Sequence, residues 1–186
     1  MSPVIRLWDV FFAFLGLALL FPLLVLLWLI GLRDTGSPLF RQERVGLNQV
    51  SFVLNKFRTM AVGTNVVATH LVDGASITPF GRFLRKTKLD ELPQLWNVLK
   101  GDMSLVGPRP CLPSQQALIE ARANRGVFAV RPGITGLAQV RGIDMSTPEL
   151  LAETDAKMLE KFSIRHYFQY ILLTISGRGA GDRVVH

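Results

Sequence analysis

Between residues 82 and 91 the chain sets Arg82, Arg85, Lys86 and Lys88 just ahead of two adjacent carboxylates, Asp90 and Glu91. Neighbouring carboxylates repel, and each resists ionising beside the other. Nearby cations and a helix N-terminus, worth about 0.3–1 kcal/mol per charge, reverse that bias. A divalent metal does so more strongly, and a hard oxygen pair that keeps waters and bridges to phosphate is what Mg²⁺ uses. The cluster therefore suits metal-assisted work on a phosphate. Taken alone, it equally describes a solvated, charged helix start.

Further cations recur on stiffened stretches. Lys56-Phe57-Arg58 follows a strand-like run; Gly107-Pro108-Arg109-Pro110 holds an Arg in a loop pinned on both sides; Arg131-Pro132-Gly133 and Gln139-Val140-Arg141 repeat the theme. Any single Arg is more often a surface charge than a ligand. Several of them on Pro/Gly loops suit a diphosphate, which guanidinium groups bind bidentately. Other chemistries lack their signatures. There is no phosphate-cradling P-loop, no GxGxxG and no Gly-x-Ser-x-Gly. His70, His166 and His186 are scattered, and the single Cys111 excludes an intrachain disulfide and a tetrahedral zinc site.

The elements that must position these groups follow from periodicity. Leu95, Val98 and Leu99 are helically spaced and Gly101 is a stop, so Pro93 falls in the first turn and puts Asp90 and Glu91 at a helix N-terminus. Upstream, Gly36–Asn48 reads as a turn and short strand or hairpin, and Gln49–Met60 as a strand. Ala61–Ser76 reads as a loop with a poorly defined helix, and Thr78-Pro79 as a helix start or turn. Downstream, residues 102–110 read as a loop, Pro113–Asn124 as a helix closed by Gly126, and Leu137–Val140 as a short strand. Ser146-Thr147-Pro148-Glu149 fits a capping box. The helix it opens runs to about Phe162 with Leu151, Met158, Leu159 and Phe162 inward and Glu153, Lys157, Glu160 and Lys161 outward. His166–Ser176 is apolar but too short to span a membrane, and serves as a core or an interfacial helix. The tail from Gly177 reads as loose.

The chain has 186 residues and a net charge of +7, which favours phosphate-bearing partners such as lipid head groups, nucleotides or nucleic acid. Its N-terminal run, Val10–Leu32, carries no charge, and about 20 apolar residues span a hydrocarbon core of about 30 Å. The run is longer than a signal-peptide core and lacks a small-x-small cleavage site, so retention in the mature protein is expected. Trp8 stands just before it and Trp28 near its exit, and Arg flanks both ends. Pro22 divides it into two arms, each reaching about half the hydrocarbon depth. From these residues, a spanning helix and a re-entrant hairpin both remain open.

KFRTM (Lys56–Met60), ITPFGRFLRKTKLDELPQLWNVLKGDMSLVGPRP (Ile77–Pro110) and RPGITGLAQVRG (Arg131–Gly142) resemble the bacterial sugar transferases called monotopic phosphoglycosyl transferases, from Arg6 to about Thr174. The chain is similar to the minimal form, without an additional N-terminal transmembrane domain. The resemblance implies transfer of a sugar 1-phosphate from a UDP-sugar to polyprenyl (undecaprenyl) phosphate with release of UMP. This is the first membrane step of glycoconjugate assembly, and runs as a ping-pong reaction through a covalent aspartyl phosphosugar. By motif, Asp90 would be the nucleophile and Glu91 its partner holding Mg²⁺. Lys56, Arg85 and Arg109 would contact phosphates or the uridine side, and Pro110, Gln139 and Arg141 would line the site. Arg58 and Arg131 join this substrate-binding set from their sequence context.

The chain departs from the family where Phe21-Pro22 replaces a Ser-Pro break, where Ile5-Arg6 replaces a Lys-Arg start, and at Asp155, Met158 and Tyr167 near the C-terminus. The fold expected is α+β and helix-rich. Residues 1–34 form a re-entrant membrane helix hairpin; residues 35–186 form one compact cytosolic catalytic domain with small β elements and interfacial amphipathic helices. A site that must hold a soluble nucleotide sugar and a lipid phosphate belongs at the head-group plane, which favours re-entry over spanning. The resemblance implies the cytoplasmic leaflet of a bacterial inner membrane, with membrane lipids as partners. Nucleic-acid binding is not expected, since no aromatic platform or recognition helix accompanies the basic residues.

Overall fold

In the computed structural model the described residues are 2–64 and 76–177. Most of the Ala61–Ser76 loop, the tail beyond Gly177, His70 and His186 lie outside them. The chain opens with α1 (Pro3–Thr35), started by Ser2, whose hydroxyl accepts from the Ile5 amide, and stopped by Gly36 in the left-handed region at φ 70°. Pro22 lies inside this continuous helix. Ile5, Asp9, Ala13, Leu27 and Gly31 are its buried residues. Their spacing traces one helical stripe that runs past Pro22 on both sides. Leu7, Phe14, Leu19, Phe21 and Leu26 on the other faces are mostly exposed.

Two small sheets follow. Strands β1 (Leu39–Val45) and β2 (Ser51–Phe57) pair antiparallel from Leu39↔Phe57 to Val45↔Ser51. After β2 come α2 (Pro79–Thr87) and α3 (Gln94–Lys100). Then β3 (Ser104–Val106) pairs parallel with β4 (Gly133–Thr135) across a crossover that contains α4 (Gln116–Ala123). The chain continues through α5 (Leu137–Val140), α6 (Pro148–Glu160) and α7 (Ile164–Ile175). This is the helix-rich α+β architecture that the periodicity implied.

The stripe of α1 enters three hydrophobic clusters in turn. Ile5 packs with Val106, Met158, Tyr167 and Tyr170; Ala13 with Leu54, Val98 and Met103; Leu27 with Phe57 and Leu84. A fourth cluster, Val45, Cys111, Leu118, Ala121, Ala138, Leu151 and Ala152, joins α4 to α6 and lies away from α1. Burying a side chain such as Leu84 contributes about 2 kcal/mol.

Two local expectations change. Leu137–Val140 is the helix α5, because Gly136 ends β4 in extended backbone and its carbonyl accepts the Val140 amide at 3.0 Å. Four residues are too few for periodicity to separate strand from helix turn. The capping box does not form: Thr147 caps α6 without a side-chain hydrogen bond, while the Ser146 hydroxyl turns back to Asp144 Oδ1. Helix α7 packs one face on the core through Tyr167 and Tyr170, while Leu172 and Ile175 face outward.

Candidate active site

Asp90 and Glu91 sit in a single 3-10 turn, Leu89–Glu91, between α2 and α3 rather than on a regular helix start. Lys88 creates the turn. It closes α2 at φ 58°, a left-handed conformation that costs a non-glycine residue about 1–2 kcal/mol. The chain thereby reverses, and the turn packs against both α2 and β2. Asp90 is 9% exposed, whereas Glu91 reaches outward to Arg109, whose Nη2 donates to Glu91 Oε1 at 2.9 Å.

The loop that carries Arg109 is held carbonyl by carbonyl. Pro108 O accepts the Gly133 amide at 2.9 Å, Arg109 O accepts Arg122 Nη1 at 2.8 Å, and Pro110 O accepts Arg44 Nη1 at 3.1 Å. Gly107 and Gly133 lie backbone against backbone here, and a Cβ on either would collide with the other strand. Gln139 extends Nε2 toward Gly107 O at 3.5 Å, and its Oε1 is buried with no hydrogen-bond partner.

Arg85, in the last turn of α2, donates Nε to Thr59 Oγ1 at 3.0 Å. Its Nη1 is buried without a partner, an open cationic donor suited to an anion. Gly81 makes this approach possible, since a Cβ there would strike the Thr59 backbone. Lys56 lies on β2 with its ammonium 5.5 Å from the Phe40 ring centre. The structure thus joins Glu91 to Arg109 directly and sets Gln139 against Gly107 of the same loop, while Arg85 and Lys56 lie on α2 and β2, the two elements that the carboxylate turn packs against.

Two candidates are engaged elsewhere, and a third lies at the surface. Arg58 donates to Ser37 O at 2.7 Å and to Leu39 O at 3.2 Å, fastening the start of β1. Arg131 Nε binds Gly101 O at 2.7 Å, at the end of α3. Arg141 is exposed at the end of α5.

Supporting residues went unnoticed in the sequence. Asn97, fully buried on α3, accepts the Asn55 amide at 3.0 Å and donates to Val53 O at 2.7 Å and Asp102 Oδ2 at 3.0 Å. It fixes α3, and the turn before it, to the edge of β2. Arg6 donates to the carbonyls of Val98 (2.7 Å) and Leu99 (3.0 Å) and so caps the end of α3. Asp9 Oδ1 accepts from the Ser104 hydroxyl, the Leu105 amide and the Tyr167 hydroxyl, each at 2.9 Å. Burial, with the Asp9 carboxylate adding to it, pushes the Tyr167 phenol far up, so it stays a donor. At the other end of α1, Asp34 Oδ2 accepts from the hydroxyl of Thr78, the N-cap of α2, at 2.7 Å.

The chain from residue 2 to 178 matches the bacterial sugar transferase family. It belongs to that family. A UDP-glucose:undecaprenyl-phosphate glucose-1-phosphate transferase of Caulobacter vibrioides is 41% identical, over 91% of this chain and 67% of that protein. A UDP-galactose-lipid carrier transferase of Erwinia amylovora is 35% identical, over 91% of this chain and 39% of its own length. An undecaprenyl-phosphate galactose phosphotransferase of Salmonella typhimurium is 38% identical over 74% of this chain and 32% of its own. The chain thus spans about a third to two thirds of these sugar transferases.

The donor set fits Mg²⁺, which takes one or two protein carboxylates and completes its shell with water and substrate phosphate oxygens. Glu91, the carboxylate that the resemblance assigns to the metal, would be such a donor. Among the described residues no group of three or more His, Cys, Asp and Glu forms an all-protein cage.

Proposed function

We propose that this sugar transferase moves a sugar 1-phosphate from a UDP-sugar to polyprenyl phosphate and releases UMP. The observation that carries the reading is the buried Asp90 beside a Glu91 held by Arg109, in a turn packed on the cationic α2. In the first half-reaction an Asp90 carboxylate oxygen attacks the β-phosphorus, and the bond from that phosphorus to the bridging oxygen breaks. UMP departs with the bridging oxygen, leaving an aspartyl phosphosugar. In the second, an oxygen of polyprenyl phosphate attacks the same phosphorus, regenerating the Asp90 carboxylate and forming a polyprenyl diphosphosugar. A carboxylate nucleophile divides one difficult transfer into two easier ones. Arg109 and Arg85, with its open Nη1, balance the charge of the phosphates. Glu91 would hold Mg²⁺, which when bound neutralises phosphate charge.

Membrane topology belongs to the same reading. Arg6 holds the end of α3 and Asp34 holds the start of α2, so both ends of α1 grip one continuous segment, residues 78–103. A domain on one side of a bilayer reaches both ends only when both lie on that side. The exposed apolar faces around Pro22 then enter the cytoplasmic leaflet of a bacterial inner membrane and return, and the site sits at the head-group plane.

The test is UMP release from detergent-purified protein given a panel of UDP-sugars, undecaprenyl phosphate and Mg²⁺. Release that requires all three components supports the reading. A folded sample that yields no UMP with any donor counts against it.

A further inference from the structure

Arg122 and Asp155 form an ion pair in the cluster between α4 and α6. Nε and Nη2 of Arg122 donate to Asp155 Oδ2 at 3.0 and 2.7 Å, and the two side chains are 2% and 0% exposed. Stability is a poor reason for such a pair, because desolvating two charges costs as much as their attraction returns, and apolar replacements of similar volume are often as stable. This pair is also imperfect: Asp155 Oδ1 is buried with no hydrogen-bond partner. What an apolar pair could not supply is the third contact, Arg122 Nη1 to Arg109 O at 2.8 Å.

That contact falls in the loop whose three successive carbonyls are each held by a different element: Pro108 by β4, Arg109 by α4 and Pro110 by β1. Pro108 and Pro110 restrict the backbone on both sides of Arg109. Fixing the Arg109 carbonyl therefore leaves its peptide planes little freedom, and the direction of its side chain is set before it meets Glu91.

We propose that Arg122, held in place by Asp155, is a positioning residue that orients Arg109 toward Glu91. Asp155 neutralises the buried guanidinium and fixes which of its nitrogens faces the loop. The pair touches neither carboxylate of the turn, and acts through the main chain of Arg109. For catalysis this rests on the transferase reading, while its structural core can be measured without substrate.

The decisive variant is Arg122→Met/Asp155→Leu, which removes both charges together and keeps the volume. It is expected to melt within a few degrees of wild type or above it. The amides of residues 107–112 should nonetheless exchange with deuterium at least about tenfold faster. With a donor that wild type accepts, kcat should fall about 10- to 100-fold, because a misplaced group costs that much, while KM for the UDP-sugar shifts less than about threefold. Arg122→Lys, which keeps the charge against Asp155 but loses the fork, serves if the double variant fails to fold, and should show the same faster exchange and the same kcat loss. Wild-type exchange in the 107–112 segment, or full kcat, in a folded variant overturns the proposal and leaves the pair a packing element. Faster exchange alongside a wild type that releases no UMP from any donor upholds the orientation of Arg109 and overturns the transferase reading instead.

Discussion

Arg109 Nη2 lies 2.9 Å from Glu91 Oε1, across 18 residues of sequence, and this ion pair joins the 107–110 loop to the carboxylate turn. Both groups are partly exposed, so as a stability element the pair is worth little. Its value is geometric. Arg109→Ala should lower UMP release about 100- to 1,000-fold, as removal of one charge-stabilising donor does, with a melting temperature close to wild type. Turnover within a few-fold of wild type would exclude Arg109 from the site.

Asp90→Asn keeps the size and burial of the side chain but cannot form the acyl phosphate. UMP release should vanish with the fold intact by circular dichroism, and a radiolabelled sugar phosphate should no longer be trapped on the protein. Residual turnover above about 1% of wild type would move the nucleophile elsewhere.

Glu91→Gln removes the charge that would hold Mg²⁺ while leaving an oxygen for Arg109. The Mg²⁺ concentration giving half-maximal activity should rise about tenfold or more. An unchanged Mg²⁺ titration would sink that role.

Asn97→Ala strips partners from the Asn55 amide and the Val53 carbonyl in a fully buried place. Leaving such groups unsatisfied costs about 3 kcal/mol in total, a fall of roughly 6–12 °C in Tm for a chain of this size. Thermal unfolding in detergent measures it, and a shift under about 2 °C would mean that the β2 edge is held by other contacts.

Cys111 is fully buried, and burial pushes its thiol up against the opposing pull of Arg122, so little thiolate forms near neutral pH. The folded protein should resist maleimides until denatured. That silence permits a topology experiment in the natural background. Ser2→Cys and Ser37→Cys should both label from the same face of sealed vesicles, and labelling from opposite faces would restore a spanning α1.

Legibility in the sequence tracked how local the cause was. The Thr78 cap, the Gly101 stop and the strand alternation before Lys56 depend on neighbours a few residues away, and all three are where the pattern put them. The grouping of Asp90, Glu91 and Arg109 came from a shared motif. Asn97, Arg122 and Asp9 were opaque because each is a buried polar residue with a hydrogen-bond partner 33 to 158 residues distant. Arg58 and Arg131 look like their neighbours in sequence, yet spend their guanidinium groups on main-chain carbonyls. An Arg that binds phosphate and an Arg that staples a loop have the same composition around them, and only the acceptor tells them apart.

The contact between Asp9 and Tyr167 closes a loop of 158 residues. At about 5–20 residues per second of synthesis, roughly 8–32 s pass between the appearance of the two. Until that interval ends α1 lacks α7, and for the earlier part of it β3 as well, so that much of its packing surface waits for chain still to be made. The first helix made is thus among the last to be seated.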